Sequence, residues 1–351
     1  MRQPFTIDRR AAVLAATSLL TALPPLPAAA WCGETLPSWA YYLKWDENPA
    51  LPITFGGTSA TASYRIVGDK AREDKTQVPP VLVVGAPGIG YDYIESFEAL
   101  TVSDRRIIEV TFAGTQPPAK GAAAFAPTLA SADACAVQLQ AVCSALKVPA
   151  VHIVAHGLGA APALRLAAAA AAKQAGIVGV RSLTLVSPYG SAADLRPGAL
   201  GQPGAVTSVA QLAETLLPTA STNARSTCIA EAKADSGGPL LLPFLSTGAS
   251  LAGGALGRSL EPLCASGIPV QLTSGGARDI IDASGWDADG ALPAAVVRKS
   301  YPNAGHLPFI EDRDAFLLAQ LEFMDKVDGV ETNREFKFAD AVTTLKEMTG
   351  K

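Results

Sequence analysis

The segment Val151-His152-Ile153-Val154-Ala155-His156-Gly157-Leu158-Gly159-Ala160-Ala161 carries two of the chain's three histidines. Its apolar, β-favouring start runs into a tight glycine-bearing turn. An alanine-rich helical run, 162–173, follows. A strand–turn–helix unit of this shape lifts its central residue to the tip of the strand. In the pattern G-x-S-x-G that residue is a serine able to attack a carbonyl. Here Ala155 takes the first glycine position, His156 and Leu158 the variable ones, and Gly159 the last glycine. Gly157 stands in the place of the serine. Small neighbours let strand and helix approach closely around a strained central residue. Glycine enters the left-handed region at almost no cost, so Gly157 relaxes the turn while removing the one hydroxyl placed to attack. An ordinary strand–glycine–helix connection in another α/β fold is the alternative reading of these residues.

The elements around this turn follow from hydrophobic period and turn chemistry. Residues 61–67 form an early strand, 70–77 a charged turn, and 78–84 a buried strand run. That run ends in Gly85-Ala86-Pro87-Gly88-Ile89-Gly90-Tyr91-Asp92-Tyr93. A strand over 105–112 and a helix over 131–146 lead to the glycine turn, and 182–189 is the strand after it. Further on, the strand 268–273 precedes Gly276-Ala277-Arg278-Asp279. A strand over 296–301 precedes Asn303-Ala304-Gly305-His306-Leu307-Pro308-Phe309-Ile310-Glu311, and a helix over 314–327 completes the body.

Taken in order, these motifs resemble the α/β-hydrolase family, in its proline-iminopeptidase-like branch. The loop at 85–88 is similar to the HGGPG loop of that branch, with Gly85 and Ala86 where it has the histidine and a glycine, and with Pro87-Gly88 kept. In the family such a loop gives backbone N–H groups to the oxyanion hole, and a second N–H comes from the residue after the nucleophile, here Leu158. The segment Phe112-Ala113-Gly114-Thr115 keeps only the glycine of the family's Asp-x-Arg-Gly. The resemblance implies that Asp279 is the acid and His306 the histidine of a triad, in the chain order nucleophile, acid, histidine. It implies an α/β-hydrolase fold: a mostly parallel sheet flanked by helices, the domain spanning 61–327, with an inserted cap at about 190–265.

The functional expectation is a catalytically degenerate α/β-hydrolase-like protein, a pseudoenzyme serving as a binding or structural subunit. The alternative is a peptidase- or esterase-like hydrolase, or a lyase, in which Asp279 and His306 act on a water or another unconventional nucleophile. A serine restored at 157 is expected to fit, because hydrolases of this shape hold one there despite the strain.

Composition bounds the remaining choices. At 351 residues, 49% of them apolar and 17% charged, the chain can bury one large core. Net charge is −4 with no basic block, which gives no footprint for nucleic acid. No HExxH and no cysteine-pair spacing occurs, so neither a metal nor another cofactor is expected. Residues 1–30 read as a cleavable export signal: Arg9-Arg10, a short apolar stretch, then Ala28-Ala29-Ala30. The paired arginines resemble a twin-arginine signal, which points to the thylakoid lumen or the bacterial periplasm, with a mitochondrial transit peptide as the weaker alternative. Cleavage after Ala30 leaves Trp31 first.

Export permits disulfides among the five cysteines. Cys135 and Cys143 share one helix about 12 Å apart, too far to bridge. Cys228 and Cys264 are the candidate pair; five buried, unpaired thiols are the alternative. Residues 31–60 are aromatic-rich, with Trp31, Trp39, Tyr41, Tyr42 and Trp45. They form either a lead-in packed on the body or a surface for a protein partner. The cap region, with Leu240-Leu241-Leu242-Pro243-Phe244, suits a small apolar ligand or its own packing. The extension 328–351 carries a short amphipathic pattern at Val342, Leu345 and Met348 that could dock on the body or on a partner.

Overall fold

A computed structural model of the chain describes residues 45–46, 51–68, 70–89, 96–115, 125–196, 239–281, 283, 286 and 292–330. The export-signal segment, most of the aromatic segment, Cys228 and residues 331–351 lie outside them. The described strands are β1 (Trp45–Asp46), β2 (Leu51–Phe55), β3 (Thr58–Val67), β4 (Val81–Val84), β5 (Ile107–Thr111), β6 (Ala150–His156), β7 (Gly179–Val186), β8 (Val270–Gly275) and β9 (Val297–Tyr301). The α-helices are α1 (Lys70–Thr76), α2 (Ala132–Ala145), α3 (Ala160–Ala171), α4 (Leu241–Thr247), α5 (Ala255–Ala265), α6 (Pro308–Glu311) and α7 (Arg313–Asp328).

The strands join one sheet in the order β1-β3-β5-β4-β6-β7-β8-β9, with β2 pairing β3. β3 runs antiparallel to its partners β1, β2 and β5, and every pairing from β5 to β9 is parallel. The central run Val81–Val84 is apolar without alternation because helices cover both faces of a parallel sheet, and Ile107–Thr111 is buried along most of its length with Glu109 the one charged residue in it. β9 is the edge, and its residues 297–300 are exposed. The chain leaves β4 to one side, for β5, and returns on the other side as β6. Strand order therefore reverses at β4/β6, and crevices for ligands open at the carboxyl ends of such a pair. The loop at 85–88 and the turn at 157–159 sit at those two ends.

Local chemistry explains the element ends. Ser131 caps α2, its hydroxyl accepting from the Ala134 N–H at 3.1 Å. The residues expected as a charged turn instead form helix α1. Its buried Glu73 takes the guanidinium of Arg106, just before β5, in two hydrogen bonds of 2.5 and 3.1 Å. That long-range pair fixes a short helix whose own sequence is almost wholly polar. In the inserted region between β7 and β8, the described residues include helices α4 and α5. Cys135 and Cys143 are buried free thiols on α2, and Cys264 is a half-buried free thiol on α5. Burial pushes the Cys143 thiol up to about 12, so it stays protonated.

The far end of the sheet is tied by an ionic cluster. Arg105 has a fully buried side chain and pairs with Asp325 at 2.9 Å and Asp328 at 2.7 Å, both near the end of α7. Asp328 also meets His152 Nε2 at 3.0 Å and Arg181 at 3.3 Å. Burial opposes ionisation of Asp328, but His152 and Arg105 outweigh it and hold the carboxyl well below its usual range.

Candidate functional site

β6 ends at His156, and a single 3-10 turn, Gly157–Gly159, connects it to α3. Gly157 adopts φ +56°, a left-handed value that costs a side-chain-bearing residue about 1–2 kcal/mol. Gly159 is required for a different reason. A Cβ there would lie 2.4 Å from the Val84 carbonyl oxygen and 2.5 Å from that of Gly85. The helix start therefore presses directly on the end of β4, and only a hydrogen fits between them. This contact brings the loop at 85–88 beside the turn.

That loop is itself tight. The Ile89 N–H donates to the Ala86 carbonyl at 3.0 Å, and Gly88 takes φ +86°. Gly85, Ala86, Pro87 and Gly88 are all buried, as is Leu158. A Cβ on Gly88 would lie 2.5 Å from Cβ of Leu241, so α4 seats directly on the loop. The Leu240 N–H donates to the Gly114 carbonyl at 3.0 Å, adding a second tie between the insertion and the sheet.

Asp279 and His306 meet. Nδ1 of His306 lies 2.8 Å from Oδ1 of Asp279, and both side chains are buried. A carboxylate only accepts, so Nδ1 of the imidazole carries a proton and donates the hydrogen bond to Asp279. Nε2 is buried and has no hydrogen-bond partner among the described residues. Asp279 is held on all sides: Ser187 Oγ donates to Oδ2 at 2.6 Å, Gly275 N–H to Oδ2 at 3.0 Å, and Ile281 N–H to Oδ1 at 3.3 Å. Burial works against its ionisation, but the charge of His306 and these donors prevail and hold its carboxyl below the usual range.

His156 steadies the same histidine from below. Its Nε2–H donates to the His306 carbonyl at 3.0 Å, and the two rings lie 4.6 Å apart, centroid to centroid. Burial, then the neighbouring His306 charge, drives the pKa of His156 well below the ordinary value, so it is neutral. Phe309 packs edge-on against it at 5.0 Å.

Two residues of this site left little trace in the sequence. Ser187 adopts φ +44°, rare for a residue with a side chain, and that conformation turns its hydroxyl onto Asp279. Tyr189 lies over Gly157: a Cβ built on Gly157 would be 2.9 Å from the ring's Cε1. Its ring also stands 5.8 Å from that of His306. The Ser187-Pro188-Tyr189 sequence at the end of a strand was the one available signal, a turn just past the sheet. Among the described residues, no three or more His, Cys, Asp or Glu side chains converge as metal ligands would.

With this geometry in view, comparison with solved structures gives matches over four-fifths of the chain. A proline iminopeptidase of Mycobacterium smegmatis superposes with a TM-score of 0.55 at 16% identity, over 80% of this chain and 99% of its own. An esterase from a Rhodococcus species gives 0.56 at 20% identity, over 79% of this chain and 98% of its own. An enol-lactonase from Burkholderia xenovorans gives 0.54 at 17% identity, over 79% and 99%. The chain has the α/β-hydrolase fold, and these neighbours with that fold are hydrolases. No protein-family model and no curated protein matches the sequence.

Proposed function

We propose that this chain is a catalytically degenerate α/β-hydrolase, with Gly157 where the fold's serine enzymes carry their nucleophile, acting as a binding or structural subunit in an exported compartment. The observation that carries the reading is Gly157 at the tip of β6, with no side chain to offer, beside a histidine–aspartate pair at 2.8 Å. In a serine hydrolase the histidine takes the nucleophile's proton, the acid orients the histidine, and backbone N–H groups hold the oxyanion. In this reading His306 and Asp279 are the counterparts of the histidine and the acid, and the buried loop at 85–88, packed beside the turn, is the candidate for the oxyanion donors. The nucleophile has none, and its loss from a triad costs on the order of a millionfold in kcat.

Export through a twin-arginine-like signal, into the thylakoid lumen or periplasm, is the localisation proposed. The proposed contacts are a protein partner on the aromatic segment 31–45 or on the extension 328–351, and a small apolar ligand under the cap. N-terminal sequencing of the protein from its native compartment tests export, with Trp31 expected first and Met1 refuting it. Co-purification from that compartment tests the subunit role, and a protein recovered only alone counts against it.

The second reading, hydrolysis or elimination through His306 and Asp279 acting on water, is favoured by one feature. His306 Nε2 is buried and has no hydrogen-bond partner among the described residues, while Nδ1 is fixed on Asp279. Turnover of an acyl substrate that disappears in His306→Ala would select it.

A further inference from the structure

The phenol ring of Tyr189 packs against Gly157 and stands 5.8 Å, centroid to centroid, from the His306 ring. With a Cβ placed on Gly157, Tyr189 contacts it through Cε1 at 2.9 Å and through Cζ and Oη at 3.5 Å. The backbone of Tyr189 donates its N–H to the Gly157 carbonyl at 3.4 Å, and the residue is 1% exposed. The ring is therefore enclosed where an incoming group would have to lie to approach both the turn and the imidazole.

The segment after Tyr189 holds the ring there. Asp194 is a clasp across the neck of the inserted region. Its carboxylate accepts the Gly190 N–H at 2.7 Å and the Ser191 N–H at 3.2 Å on the outgoing side. From the returning side it accepts the Leu251 N–H at 2.9 Å, the Ala252 N–H at 3.2 Å and the Ser250 hydroxyl. The two backbones run so close that a Cβ on Gly190 would sit 1.9 Å from the Ala249 carbonyl oxygen. Hydrogen bonds to an ionised acceptor are the strong kind, and five of them on one carboxylate fix the segment that begins at Tyr189.

We propose that the space over Gly157 is an aryl-binding site occupied in cis by the Tyr189 phenol ring, with the Asp194 clasp keeping it shut. The ligand class is read from the molecule's own occupant: a flat aromatic ring bearing a hydroxyl, packed against the glycine turn and beside the His306 imidazole. The proposal rests on the reading that Gly157 leaves this space without a nucleophile.

The test uses the full chain and 4-methylphenol, the free counterpart of the tyrosine side chain. In Tyr189→Ala the vacated space binds the probe, as apolar cavities made by truncation bind small aromatics. Titration followed by the His306 imidazole NMR signals should give a Kd at least about tenfold lower than for the wild type, equivalent to about 1.4 kcal/mol. Equal binding by the wild type, or a folded Tyr189→Ala that ignores the probe, overturns the proposal. A second measurement holds even where that variant does not fold. In the wild type labelled with 3-fluorotyrosine, the Tyr189 resonance, assigned with Tyr189→Phe, should show no H2O/D2O solvent shift. The Asp194→Asn protein should show one. A solvent-shifted wild-type signal, or an Asp194→Asn signal that stays buried, also overturns it. Hydrolysis of 4-nitrophenyl acetate by the wild type, lost in His306→Ala, would instead refute the degenerate-hydrolase reading, whatever the probe does.

Discussion

Restoring a side chain at position 157 tests the packing of the site more sharply than it tests chemistry. The sequence alone suggests that Gly157→Ser is accommodated. The structure places two costs on it. The backbone at φ +56° penalises a β-carbon by about 1–2 kcal/mol. That β-carbon also falls 2.9 Å from Cε1 of a buried tyrosine, and forced overpacking of this kind costs about 1–3 kcal/mol. Together they give about 2–5 kcal/mol, a large share of the ~5–15 kcal/mol that holds a typical domain folded. Because the penalty comes from Cβ and not from the hydroxyl, Gly157→Ala should cost about as much as Gly157→Ser. Tyr189→Ala alone should cost about 3–5 kcal/mol through the lost ring. In the double variant Gly157→Ser/Tyr189→Ala the clash is gone, so the combined loss falls short of the sum by about 1–3 kcal/mol. Urea unfolding of the wild type and these variants, at unchanged m, measures each term. A Gly157→Ser protein within ~0.5 kcal/mol of the wild type, or strictly additive losses at these touching sites, would refute the reasoning.

Three further outcomes rest on the buried charges. Arg105→Met leaves Asp325 and Asp328 without their shared guanidinium and should cost about 3–5 kcal/mol in chemical unfolding. His156, depressed by burial and then by the His306 charge, and His152, depressed chiefly by burial, both bind fewer protons folded than unfolded. Stability should therefore be full above about pH 6.5 and fall below it, by up to about 1.4 kcal/mol per pH unit for each histidine. His156→Gln should flatten that slope by up to one proton, and an unchanged slope would contradict the assignment. Asp279, held low by His306 and its donors, adds a second loss only below about pH 3.9. Asp279→Asn weakens the acceptor for both His306 Nδ1–H and Ser187 Oγ–H. It should release the tautomer, seen as a change in the His306 ring 15N shifts, and cost about 1.5–3 kcal/mol for each charge-assisted bond lost.

The sheet was legible because its central strands are buried on both faces: Val81–Val84 reads as an unbroken apolar run, and Ile107, Ile108 and Val110 make Ile107–Thr111 a β-branched strand despite Glu109. Gly159 was legible as part of a spacing, and the reason for it appears only with the Val84 and Gly85 carbonyls beside it. α1 reads as a turn in the sequence because its stabilising partner, Arg106, lies 33 positions away and no local pattern points to it. Tyr189, Ser187 and Asp194 escaped for the same kind of reason. Each acts through residues brought near by the fold: Gly157, Asp279 at a separation of 92, and the 250–252 backbone. Hydrophobic period reports burial, and glycine reports backbone demands; neither reports which distant carboxylate a hydroxyl or N–H will meet.

The most direct test of the degenerate-hydrolase reading is rapid mixing of the wild-type protein with 4-nitrophenyl esters, followed by intact mass spectrometry. With glycine at 157 there should be no burst of nitrophenol and no acylated protein, and any slow release should be unaffected by His306→Ala. A stoichiometric burst with an acyl adduct, or steady turnover at ~1–10³ s⁻¹ that vanishes in His306→Ala, would contradict it.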